Sequence, residues 1–199
     1  MNLPRRKSKA DRKESGERLP PGQRVASPLP VMTHGATPRL DLKEWRFRVW
    51  GEVEEELTFT WEEFMTLPKA TITVDVHCVT QWSTMDTTWE GVPFRELMKH
   101  ICPKPGASYV MVHCHGGYTT NLSLEDLLDD GVLFAHKHGG RDLTRQHGWP
   151  LRLVVPKLYF WKSAKWVRGL RFMEGNRPGF WEMRGYHERG DPWKEERYS

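Results

Sequence analysis

The stretch Val74 to Ser83, VDVHCVTQWS, sets a single thiol between an alternating apolar segment and a polar one. Val74 and Val76 alternate with Asp75 and His77 as on a half-buried strand, so Cys78 falls where that strand gives way to a loop containing Thr80, Gln81 and Ser83. A thiol placed there can act as a soft thiolate ligand to a metal, held by a rigid element and open on one side. Taken alone, Cys78 reads first as a small, inert core residue. A second group lies further on. His147, Gly148, Pro150 and Arg152 enter a strand, and Ser163, Ala164 and Lys165 form a polar notch in the aromatic segment KLYFWKSAKW. A guanidinium, an ammonium, a hydroxyl and free backbone N–H groups can together receive a phosphate-bearing cofactor. Taken singly, Arg152 reads as an ion-pair partner and Lys165 as a snorkelling surface chain.

Other chemistries fit less well. His113, Cys114 and His115 with His77 and Cys78 lack the CxxC or HxxxH spacing of a zinc site, and neighbours on a strand face opposite ways. No local signature supports a cysteine hydrolase. The glycine-rich loop of a dinucleotide or nucleoside triphosphate site is missing.

The elements that must position these residues are short. Trp45, Phe47 and Val49 mark a strand ending near Gly51, and Thr60 with Glu63 forms a capping box at the start of a helix that ends before Pro68. Phe94, Leu97, Met98 and Ile101 share one face of a second helix, and Ser123 with Asp126 caps a third, through Leu124, Leu127 and Leu128. Tyr109–Cys114, Val132–Ala135, Leu151–Val155 and Leu170–Met173 read as strands. From Gly175 onward, Gly, Pro, Trp and Arg indicate a long surface wrap. Many short strands with few short helices make a mixed α+β domain.

The chain has 199 residues and a formal charge of +4. Eight of its 30 basic residues lie before residue 25, against three of its 26 acidic ones, so the remainder is nearly neutral. Residues 1–30 are therefore expected to be a disordered basic, Pro-rich arm, and residues 31–199 one folded domain. A nearly neutral domain argues against nucleic acid as partner. Three cysteines, an odd number, argue against a disulfide framework and for a reducing cytoplasm. Arg5-Arg6 runs into a charged stretch where an export signal needs an apolar one, and no apolar run approaches a membrane span.

In this order and spacing, the segments from Val31 to Tyr198 resemble the molybdenum-cofactor domain of the sulfite oxidase family, above all its small bacterial members. The resemblance implies mixed β-sheets with short helices, and a molybdopterin whose dithiolene shares molybdenum with the Cys78 thiolate. HGWPLRLVVP would set His147 and Arg152 on the pterin, and WKSAKW would set Ser163, Ala164 and Lys165 near its phosphate. Thr33 and His34 fall on an asparagine–histidine cofactor contact, with Thr37 close behind, and Cys114 lies near another contact. Tyr186, in WEMRGYHERG, matches a tyrosine of the substrate pocket. It would be catalytic together with Cys78. Two arginines that read sulfite in that family fall here on Met32 and on Trp82-Ser83, so a dianion loses its partners and a sulfoxide or N-oxide fits better. The family's haem and dimerisation domains have no counterpart in the sequence, so electrons are expected to pass to or from a separate redox protein. The resemblance thus implies an oxidoreductase acting on a small oxide or sulfur compound, and the composition adds the expectation that it is soluble and cytoplasmic. The alternative from another class is a cofactor-free scaffold protein that keeps the fold. Such a protein would tolerate Cys78→Ser.

Overall fold

A computed structural model describes residues 18–199. One sheet has the order β1 (Arg24–Val25), β5 (Trp82–Pro93), β8 (Leu133–His138), β10 (Arg152–Val154), with β4 (Ala70–His77) also paired to β5 and β9 (Arg141–Asp142) to β8. The other runs β3 (Leu57–Thr60), β2 (Arg46–Gly51), β11 (Val167–Met173), β6 (Tyr109–Cys114), β7 (Thr119–Ser123). Two pairs, β1/β5 and β2/β11, are parallel and the rest antiparallel, so both sheets are mixed.

Between the sheets lies a core of Phe47, Val49, Val110, Val112, Leu170 and Phe172 against Val92, Phe134, Leu151 and Leu153. The first sheet buries its other face as well. On β8, Leu133 and Ala135 point away from Phe134, and on β10 Val154 points away from Leu153, into a second core with Val76, Trp89 and Tyr159. Burial on both faces is why VLFA and LRLVV read as nearly continuous apolar runs. Three short helices, α1 (Trp61–Phe64), α2 (Phe94–Met98) and α3 (Leu124–Leu127), close the ends. Thr60 caps α1 in a reciprocal box with Glu63, and Ser123 caps α3 by accepting from the Asp126 N–H. No described helix is long and apolar enough to cross a membrane.

Three expectations change. The 12-residue strand β5 was not legible, and Ser83, expected in a loop, lies on it. WSTMDTTWEGVP is rich in hydroxyls, but several of them are used within the sheet. Thr87 Oγ1 donates to the Val74 carbonyl at 2.6 Å and accepts from Trp89 Nε1 at 2.8 Å, leaving the threonines to contribute their β-branched shape to the pleat. Strand β7 was likewise missed, because TTNLS gains its partner only through the Gly116-Gly117 reversal that lays it against β6. The third change concerns the arm. Residues 1–17 lie outside the described part, but residues 18–30 belong to the domain. Arg18 donates to Asp75 at 2.9 Å and to Asp86 at 2.7 Å, Arg24–Val25 pairs with Trp82 and Ser83, and Leu29 is buried in the second core.

Candidate active site

Strand β4 ends at His77, and Cys78 opens a tight turn back into β5. Its N–H donates to Trp82 O at 2.8 Å, and its carbonyl accepts from Gln81 N–H at 3.0 Å and Gln23 Nε2 at 3.0 Å. Gln81 takes φ 66°, the strained position of the reversal. Two further bonds clamp the turn. Phe160 N–H donates to His77 O at 2.7 Å, and Arg197 Nη1 to Val79 O at 2.8 Å. The Cys78 thiol meets Thr80 Oγ1 at 3.2 Å. Burial pushes this thiol up in pKa, against the pull of Thr80, the Val79 backbone and Arg197.

Facing the turn is a cavity of about 320 Å³, a volume in the range of cofactor sites. Arg152 and Lys165 enter it from opposite sides of an isolated antiparallel bridge. Arg152 is buried. Its guanidinium donates to His147 O at 3.1 Å and Ser163 O at 2.9 Å, and lies 4.4 Å from the Phe160 ring centre and 5.0 Å from that of Trp89. Lys165 Nζ donates to Met32 O at 2.6 Å, Thr33 Oγ1 at 2.7 Å and Gln146 O at 2.9 Å, tying the lead-in segment to the floor. Gly148, at φ 111°, makes the approach possible, since a Cβ there would sit 3.0 Å from Arg152 Cβ and 3.2 Å from Lys165 Cβ. The opposite wall is aromatic. Tyr186 stacks on Trp181 at 5.0 Å and meets Trp161 edge-on at 5.1 Å, while His34 packs against Phe180 and Trp181.

The sequence-derived residues sort clearly. Cys78, Thr33, His34, His147, Arg152, Ser163, Ala164, Lys165 and Tyr186 all line this one cavity, although they come from six separate stretches of chain. Ser163 has a second task, because its Oγ accepts from Val155 N–H at 2.9 Å. Thr37 lies instead in an adjoining depression with Arg39, Arg145 and Gln146, and only Gln146 is shared with the cavity. Cys114 lies apart from these residues. It is buried in the core between the sheets and does not line the cavity, because on β6 it points inward with Val110 and Val112. Tyr118, whose carbonyl accepts from Cys114 N–H at 3.0 Å, takes the place at the wall. Residues not singled out from sequence are Thr80, Tyr118, Gln146, Phe160, Trp161 and Trp181. Trp161 and Phe160 stand beside the Ser163 notch, and Trp181 lies five residues before Tyr186, so adjacency was the available signal.

Charge decides what the cavity can hold. Arg152 and Lys165 meet only neutral oxygens, and no carboxylate appears among the lining residues. A buried guanidinium and a partly buried ammonium without a counter-ion call for a bound anion. Beside them Cys78 is the one thiol in the lining, and no group of three His, Cys, Asp or Glu capable of holding a metal occurs among the described residues. A metal here must therefore bring other ligands with it. That donor set fits an anionic cofactor that carries its own sulfur ligands.

Burial, with Arg152 adding to it, pulls the Lys165 pKa from 10.5 down to about 7. Because the folded value is depressed, the unfolded chain binds more protons between about pH 7 and 10.5, and stability rises with pH across that window. The cofactor-free protein is expected to melt higher at pH 9 than at pH 7, and Lys165→Met to flatten that slope. An unchanged slope in the variant would show that Lys165 does not titrate there.

A family model described as oxidoreductase molybdopterin binding domain matches residues 34–181. An uncharacterized oxidoreductase of Bacillus subtilis (strain 168), YuiH, is 42% identical over 192 residues, covering 96% of this chain and 97% of that protein. The protein-methionine-sulfoxide reductase catalytic subunit MsrP of Xanthomonas campestris pv. campestris is 30% identical over 155 residues, covering 70% of this chain and 48% of that protein. Among solved structures, the sulfane dehydrogenase SoxCD from Paracoccus pantotrophus matches with a TM-score of 0.65 and 25% identity, over 71% of this chain and 41% of that one. The chain thus spans nearly all of the Bacillus protein and about half or less of the other two.

Proposed function

This chain belongs to the family of molybdopterin-binding oxidoreductases, and we propose that it reduces a small neutral oxide, a sulfoxide first of all, with electrons from a separate redox protein. The reaction balances as sulfoxide plus two electrons and two protons giving sulfide and water. When bound, the molybdenum cofactor supplies the two-electron centre and the oxygen-atom chemistry.

The chain's own residues divide the remaining work. Cys78 would hold the metal as a thiolate, kept rigid by the turn to Trp82. Arg152 and Lys165 neutralise the anionic cofactor, with His147, Ser163 and Ala164 shaping its bed and Thr33 and His34 closing the lead-in over it. Trp161, Trp181 and Phe160 exclude water. Tyr186 stands beside Cys78, with its pKa raised by burial and by the neighbouring Tyr198 and Cys78, so its hydroxyl stays protonated and able to donate to the substrate oxygen.

One observation carries the choice of substrate: Arg152 and Lys165 are the only Lys or Arg side chains lining the cavity among the described residues, and with both committed to the anionic cofactor none is left to read a dianion. Of the positions where sulfite-reading arginines were expected, Met32 lines the cavity as an exposed thioether, while Trp82 and Ser83 are buried away from it. The likeness to a methionine-sulfoxide reductase subunit supports the same reading.

The test uses protein made in a host competent for molybdenum cofactor synthesis. Turnover of methyl sulfoxides with a reduced viologen dye is expected to exceed sulfite oxidation with ferricyanide by at least about 100-fold in kcat/KM, the scale of two lost charge-assisted contacts. Equal efficiency with sulfite would overturn the reading. Tyr186→Phe is expected to lower sulfoxide kcat by roughly 10–100-fold while KM stays close to wild type, as for a donor that acts mainly in the transition state.

A further inference from the structure

Behind the aromatic wall lies an ion pair that the reaction does not use directly. Lys162 Nζ and Glu182 Oε1 are 2.6 Å apart, with side chains 0% and 1% exposed. Each partner is the chain neighbour of a wall tryptophan, Lys162 following Trp161 and Glu182 following Trp181. In both dipeptides the indole lines the cavity and the charge goes behind it.

The bonds around the pair join three parts of the fold. Lys162 Nζ also donates to Asn121 O at 2.9 Å and Asn121 Oδ1 at 3.0 Å on β7, and to the Glu188 carbonyl in the C-terminal wrap. Glu182 Oε1 accepts from Trp161 Nε1 at 2.9 Å and from Thr120 Oγ1 at 3.3 Å. Glu182 also begins the turn Glu182–Arg184, which folds the chain back so that Tyr186 N–H donates to Trp181 O at 3.2 Å and the two rings stack. Packing around the pair is tight. A Cβ at Gly179 would meet Glu182 Oε2 and Thr120 Cα, both at 2.7 Å, and one at Gly190 would meet the Trp161 ring at 2.6 Å.

A buried ion pair is a poor source of net stability, because desolvating two charges offsets most of their attraction, and apolar replacements of similar volume are often neutral. What it does supply is a directed, single-register connection. We propose that the Lys162–Glu182 pair is a positioning element that sets where Trp161, Trp181 and Tyr186 stand over the reacting centre. The inference rests on the proposal that this wall faces substrate.

The decisive variant replaces both charges, Lys162→Met with Glu182→Leu, and is measured in two forms. In metal-free protein, the near-ultraviolet circular dichroism of the stacked indoles and Tyr186 is expected to change while the melting temperature stays within a few degrees of wild type. In holoenzyme, molybdenum content is expected to be unchanged and kcat/KM for a methyl sulfoxide to fall at least about tenfold, because a misplacement near 1 Å is costly to an oriented reaction. Wild-type dichroism and wild-type kcat/KM in a stable double variant would reduce the pair to scaffolding. A loss of molybdenum with unchanged dichroism would also overturn the inference and assign the pair to cofactor loading. Should the double variant fail to fold, Glu182→Gln serves instead. Its amide oxygen can still accept from Trp161 and Thr120, and Lys162 keeps the Asn121 and Glu188 oxygens. There a threefold or larger fall in kcat/KM with altered dichroism is expected, and no change in either would overturn the inference. If the wild type itself turned over no sulfoxide, the proposed function would fail while the dichroism measurement would still judge the pair.

Discussion

Cys78→Ser is expected to yield a folded protein whose sulfoxide turnover is lost by far more than the roughly 10–100-fold that changes in the outer shell of a metal site produce. The fold tolerates the change because the turn is held by backbone groups. Cys78 N–H to Trp82 O, Gln81 N–H to Cys78 O and Phe160 N–H to His77 O do not involve the thiol, and Thr80 Oγ1 at 3.2 Å gives a serine hydroxyl a ready partner. Stability should stay within about 1 kcal/mol of wild type. The chemistry does not tolerate it, because a serine hydroxyl is a harder and far less acidic ligand than a thiolate. The check is metal analysis, visible spectrum and turnover of the two proteins side by side. A variant with wild-type spectrum and activity would place the metal away from Cys78.

Arg152→Lys is expected to be the most damaging conservative change in the cofactor bed. The guanidinium donates to two carbonyls at once, His147 O and Ser163 O, and lies over the Phe160 and Trp89 rings. A lysine ammonium cannot reproduce that fork or that stacking. Burial already pulls the Arg152 pKa from 12.5 to about 9, which leaves it charged at neutral pH. A lysine starts lower, and in the same surroundings it would lose its proton and with it the attraction for an anion. The expected result is a loss of about 2 kcal/mol in stability, from buried carbonyls left short of donors, and a fall of about tenfold or more in bound molybdenum. Calorimetry of the metal-free protein separates the first effect from the second. Full molybdenum occupancy in the lysine variant would show that the guanidinium geometry is not what holds the cofactor.

Much of this molecule was written locally. The Thr60 and Ser123 caps, the strand Tyr109–Cys114 and the end of β4 just before Cys78 each follow from a handful of consecutive residues, because capping bonds and period-two burial are short-range. Residue types near Cys78, Arg152 and Lys165 likewise suggested a soft ligand and an anion bed from sequence, and the fold brings those residues to one cavity.

What the tertiary structure decided is everything that depends on partners distant in the chain. Strand β5 is a strand because β4, β8 and β1 satisfy its backbone and Thr87 bonds across to β4, and its sequence alone looks like a polar loop. Residues 18–30 are ordered because Asp75, Asp86 and β5 give Arg18, Arg24 and Val25 their partners. Cys114 sits wholly within the core between the sheets, while Tyr118, packed against that same core, also reaches the cavity wall, an arrangement that depends on the chain reversal between β6 and β7. The aromatic wall, and the Lys162–Glu182 pair behind it, exist only when the C-terminal wrap folds back over β7. An ion pair spanning 20 residues and buried on both sides leaves no periodic trace in sequence, since nothing local requires it.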